Sequence, residues 1–191
     1  MSFQRSNLAL HTVAYKEAGD RLVDSIIRDR SFQRELILPI SSLYRLYVEL
    51  SLKQLIFLGN QLLIKPLEWK DKVAKLAGYP IIHALKDSPG EKALLTICKD
   101  ILTQLAEEST LLNMSDLHFD VLERCIHDFF GMDFTEDPFR YPNNTKGIPF
   151  LPDDYYVDVY QLRETISRVD VLCFDEALLA INDILQKQSE L

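Results

Sequence analysis

Tyr44-Arg45-Leu46-Tyr47-Val48-Glu49-Leu50-Ser51-Leu52-Lys53 decides the fold, because charges recur every four residues in a segment that is otherwise mostly apolar. Four residues turn an α-helix by about 40° more than a full circle. Arg45, Glu49 and Lys53 therefore form one narrow, slanting charged stripe, with Leu52 and Ile56 on one flank and Leu46 and Phe57 on the other. Two placements satisfy the pattern. In one, the stripe faces water as a salt ladder, in which Glu49 and Lys53 have the favourable i,i+4 order and contribute about 0.2–0.5 kcal/mol. In the other, the helix is the centre of a bundle and the stripe is a polar site whose charges require partners.

Helical periodicity continues on both sides, and no segment alternates strictly enough to demand a strand. The expectation is an all-α bundle of about five main helices with a long loop before the last of them. The first helix is expected from about Leu8 to Arg34, with Val13, Leu22, Ile26 and Ile27 among its apolar positions, and Pro39 then stops or turns the chain. Ser41 or Ser42 is an expected N-cap for the stripe helix, and Gly59-Asn60 its expected end. From Lys65 to Lys86 the pattern is broken by Pro66, Gly78 and Pro80. Ser88-Pro89-Gly90-Glu91 matches a capping box and opens a helix running to about Glu108. Ser115 is the expected cap of the next helix, which carries Leu117, Val121, Leu122, Ile126 and Phe129 and ends near Gly131. Met132 to Tyr156, with four prolines, is too long for a passive connection in a helical domain; such loops carry function or mobility. A last helix is expected from about Asp158 to Lys187, facing inward through Leu162, Ile166, Val169, Leu172, Leu178, Ile181 and Leu185.

Length and composition set the outer limits. A chain of 191 residues, 47% hydrophobic and 26% charged, is expected to be one domain, 1–191, with a substantial core. Cys98, Cys125 and Cys173 are odd in number, widely spaced and set among apolar residues, which indicates neither a disulfide framework nor a zinc site and fits a reducing cytoplasm. No N-terminal leader pattern and no run of about 18 apolar residues is present, so a cytoplasmic protein with no membrane association is expected. A formal net charge of −8 opposes sequence-independent binding to a phosphate backbone. RNA or nucleotide then requires a local basic pocket, and a small phosphorylated ligand or a protein partner is penalised less.

Several residues bear the chemistry such a pocket needs. Pro138-Phe139-Arg140-Tyr141-Pro142 holds Arg140 between aromatics and prolines, which biases Tyr141 to extended geometry and presents a stiff guanidinium suited to bidentate capture of carboxylate or phosphate. The same guanidinium is equally suited to pin the loop onto Glu49. His83, within Ile81-Ile82-His83-Ala84-Leu85, is either a packed core histidine or a proton-transfer group. Arg124 and His127 lie three residues apart, hence on one helical face, where histidine could move a proton and arginine could stabilise phosphate charge. Asp116, His118, Asp120 and His127 lack the close clustering of a structural metal site, so no metal and no cofactor is expected. A Gly-rich phosphate loop, a nucleophile elbow and a CxxC pair are absent.

Taken in order, the Tyr-Arg-x-x-Val-Glu-x-x-Leu-Lys helix, His83 and Leu85 as His-x-Leu, the Phe-Arg-Tyr-Pro loop and the long closing helix resemble bacterial HEPN-like proteins, members of the higher eukaryotes and prokaryotes nucleotide-binding superfamily. The resemblance spans roughly Ser41 to the C-terminus. It implies an all-α bundle that commonly dimerises, works in toxin–antitoxin or antiviral defence systems, and in many members cleaves RNA without metal. It further implies a catalytic arginine and histidine separated by four to six residues. Arg124 and His127 are separated by two, and neither Arg163 nor Arg168 has a histidine downstream. That departure favours a non-catalytic member, or one whose site is rebuilt from His83, Arg140, Glu49 and Lys53. On this expectation the chain is a homodimer, with a nucleotidyltransferase-type or other protein as partner. Arg45, Glu49, Lys53 and Tyr141 would contact the ligand, and His83, Arg140, Arg124 and His127 are the candidates for catalysis.

Overall fold

The computed structural model describes residues 2–29, 33–63, 91–108, 112–113, 118–130, 146 and 157–189. Within them all regular structure is helical, with five main helices and no strand. These are α1 (Ser2–Arg28), α2 (Gln33–Leu62), α3 (Glu91–Glu108), α4 (Phe119–Phe130) and a long C-terminal helix. The last comprises α5 (Val159–Val169), a π-helical turn (Asp170–Asp175) and α6 (Glu176–Ser189). Among the described residues no helix is long and apolar enough to cross a membrane.

The stripe helix is the hub: α2 packs against α1, α3, α5, the π-turn and α6. Its buried positions Ile40, Tyr44, Val48, Leu52 and Leu55 follow the helical repeat and join the inward faces of the other helices in one hydrophobic cluster. The clearest contributions from elsewhere are Val23 and Ile26 of α1, Ile101, Leu102 and Leu105 of α3, Leu122 of α4, and Leu162, Ile166 and Ile181 of the last helix.

Several expected boundaries are corrected. The first helix starts earlier, at Ser2, since neither glycine nor proline occurs before Gly19, and it stops at Arg28 rather than Arg34. Ile26 and Ile37 are both buried on either side of the break, so the apolar period runs across it and concealed it. Pro39 does not stop the chain. It lies within α2, where it is exposed, its ring forfeiting the bond to the carbonyl of Glu35. Ser41 and Ser42 are consequently interior residues and not caps. Gly59-Asn60 does not end α2 either, because Gly59 serves packing: a Cβ there would lie 2.6 Å from Cγ2 of Ile101. The helix continues to Leu62 with α3 crossing at that glycine.

Elsewhere the sequence and structure run closer. Helix α3 begins at Glu91, the last residue of the capping box, whose Ser88 lies outside the described residues, as does Ser115. Asp158 caps α5, its carboxylate accepting the Tyr160 and Gln161 amides at 3.0 Å each. Val13 and Ile27, in contrast, are 53% and 48% exposed, so α1 turns part of its apolar side away from the core.

Candidate functional site

Lys53 is only 9% exposed and donates to the Glu49 carboxylate, which is 23% exposed. The stripe thus lies between the two placements its spacing permits: Lys53 is inside the bundle, Glu49 is at its margin, and the pair is closed upon itself. Arg45, two turns before Lys53, is half-buried. Burial of an ammonium is tolerated when a carboxylate completes it, and removal of either partner would strand the other. Leu52 and Ile56 flank the stripe as buried residues, whereas Leu46 on the opposite flank is 37% exposed.

Arg124 and His127 both stand exposed on α4. Asp120, one turn earlier, accepts the Arg124 guanidinium at 2.7 Å, and this bond is the main reason its carboxyl is held below the usual carboxylate range. Across from them, Lys99 of α3 reaches Glu123 and lies 5.4 Å from the centre of the Phe119 ring, tying α3 to α4. His83, Arg140 and Tyr141 lie outside the described residues, as does nearly all of 132–156. The described members of the expected site therefore fall into two groups, one on α2 and one on α4.

The most connected polar cluster is one that spacing within α2 did not reveal. Tyr44 and Tyr47, 0% and 3% exposed, lie on the inward face of α2. A buried phenol requires a partner for its hydroxyl. Tyr44 donates to Asp20 of α1 at 2.7 Å, and Tyr47 donates to Asp170 at the start of the π-turn. Lys16 of α1 stands 3.4 Å from both carboxylates and joins the two bonds into one network. Arg163 of α5 pairs with Asp24 of α1 at 2.8 Å, extending the same α1 seam outward. Burial first, and then donation to a carboxylate, pushes both phenols far above their ordinary pKa, so neither is available as a phenolate.

Three further features surround this seam. The Phe174 ring meets Tyr47 edge to face, with centroids 5.7 Å apart and planes at 77°. Gly19 leaves room for the Tyr44 ring, since a Cβ there would sit 2.7 Å from its Cε1. Asp175 titrates above the usual carboxylate range, mainly through loss of water and next through the charge of Asp170. The available sequence signal was the i,i+3 tyrosine pair on an apolar face, together with Asp170, four residues beyond the buried Ile166.

Chemically, the seam holds helices together. Its carboxylates are engaged by phenols and a lysine, and the cysteines Cys98, Cys125 and Cys173 are thiols buried in the core and not joined in disulfides. Burial pushes the Cys173 thiol up to about 12 and Cys98 higher, which keeps both protonated and unreactive at neutral pH. Comparison of the chain with protein-family models, with curated proteins and with solved structures finds no match.

Proposed function

We propose that this chain is a HEPN-like, non-enzymatic helical module that binds a protein partner or a phosphate-bearing ligand in a bacterial defence or toxin–antitoxin setting, and that it does so as a homodimer. The observation that carries the proposal is the closed Glu49–Lys53 pair: the lysine of the charged stripe is 9% exposed and held by a carboxylate, which supports a non-catalytic role for it. The departure of Arg124 and His127 from the four-to-six-residue spacing supports the same reading, and the net charge of −8 makes a protein partner less costly than a polynucleotide. Leu10 and Val13, 67% and 53% exposed and three residues apart on α1, offer apolar area for such a partner.

Metal-independent RNA cleavage is the second reading. It is favoured by the exposure of Arg124 and His127 on one face of α4, where the Asp120 pairing is of the weak, solvent-screened kind that a phosphate can displace. Purified protein incubated with total RNA, with and without chelator, separates the two. The proposal expects no cleavage, a dimer mass by light scattering, and a melting temperature raised by a nucleotide or by a nucleotidyltransferase-type protein. Chelator-resistant cleavage that disappears in folded His127→Ala, His83→Ala or Arg140→Ala variants would overturn it in favour of the ribonuclease.

A further inference from the structure

The π-turn at Asp170–Asp175 interrupts a helix that otherwise runs from Val159 to Ser189. Such turns are rare and arise mostly as single insertions in α-helices, frequently at sites that move or bind. Here the ladder is visibly rerouted. The Glu176 amide bonds the Cys173 carbonyl, and the Leu172 carbonyl, its partner in an unbroken α-helix, instead accepts the His118 amide at 3.2 Å. The Cys173 thiol returns a bond to the His118 carbonyl at 3.0 Å. One residue just before α4 is thus latched to the turn by both its backbone groups.

From the other side, Tyr47 of α2 and Lys16 of α1 hold Asp170, and Phe174 rests against the Tyr47 ring. Three separate elements, α1, α2 and the residue leading into α4, therefore converge on six residues of the C-terminal helix. Much of this grip is polar and lies near the surface: Asp170 and Lys16 are 27% and 22% exposed, and His118 is exposed. Local opening exchanges these bonds for water and lifts Cys173 and Phe174, 0% and 2% exposed, out of the core, whereas the apolar contacts of α5 and α6 with the bundle can stay in place.

We infer that the π-turn is a latch in the C-terminal helix: it opens as a unit, releasing His118 and uncovering Cys173, while the bundle around it remains folded. This opening is independent of whether the protein binds a partner or cleaves RNA.

The three buried thiols make the inference testable in the intact folded chain. Folded protein is treated with iodoacetamide, and modification of each cysteine is followed by peptide mapping, with every rate normalised to that of the same cysteine in denaturant. Cys98 lies on α3 and Cys125 on α4, so both report opening elsewhere in the bundle. Cys173 is expected to react about tenfold or more faster than either, as local opening precedes global unfolding. Asp170→Asn and Tyr47→Phe should increase the Cys173 rate at least about fivefold further with little change at the other two, whereas Asp24→Asn, which breaks the outlying Arg163 pair, should not. A single rate shared by all three cysteines in the wild-type protein, or Cys173 reacting slowest, would overturn the inference. So would a parallel rise at all three in Asp170→Asn.

Discussion

Tyr44 and Tyr47 are buried, and each hydroxyl is committed to a carboxylate on another helix. Hydrogen bonds to charged groups contribute about 1.5–3 kcal/mol, so Tyr47→Phe is expected to lower unfolding free energy by about 2 kcal/mol in reversible denaturation. An unchanged midpoint would mean that water replaces the phenol at Asp170 without cost. Asp175 gives the opposite sign. Its carboxyl is raised in the folded protein, so the site favours folding below the unfolded-state pKa of an aspartate, and this contribution is lost as pH rises through the higher folded value. Asp175→Asn is accordingly expected to raise the melting temperature at pH 7 and to have little effect near pH 3. The gain is small because the residue is exposed and solvent screens its repulsion from Asp170.

Helices themselves were legible from the sequence, as were the end of α3 at Glu108 and the start of α5 at its cap Asp158, whereas the ends of α1 and α2 were not. The 3.6-residue apolar period of Ile40, Tyr44, Val48, Leu52 and Leu55 identifies α2 without reference to its neighbours. Pro39 and Gly59, in contrast, are local stop signals overruled by packing: α2 keeps its proline, and α3 crosses at the glycine. Helix propensity alone would make Gly59→Ala stabilising by about 1 kcal/mol. With Ile101 Cγ2 only 2.6 Å from the new methyl, the expected outcome is a net loss of about 1–2 kcal/mol through overpacking. A rise in melting temperature would show that α3 shifts freely to admit the methyl. Within the candidate site, Glu49 and Lys53 were legible because their partners lie four residues apart. Asp20 and Asp170 were not, since they lie 24 and 123 residues from the tyrosines they bind, and only the fold brings them together. The π-turn was hidden for a related reason: its rerouted carbonyl is satisfied by His118, and nothing in Asp170–Asp175 encodes that partner locally.

Across the whole molecule, polar groups in and around the bundle act as ties between elements. Lys16 joins α1 to the π-turn, Arg163 joins α5 to α1, Lys99 joins α3 to α4, and Lys53 is closed on Glu49 within the hub helix. Through the Glu49–Lys53 pair, the charged stripe of α2 is part of this internal framework. The most direct test is reversible denaturation of Glu49→Ala beside the double variant Glu49→Leu/Lys53→Met. Stranding Lys53 inside the bundle is expected to cost about 2–3 kcal/mol, somewhat below the full cost for a wholly buried pair because Glu49 retains some water, while the apolar double variant should recover most of that loss. A change within about 0.5 kcal/mol for Glu49→Ala, with no recovery in the double variant, would contradict the claim and return the stripe to a solvent-facing ladder.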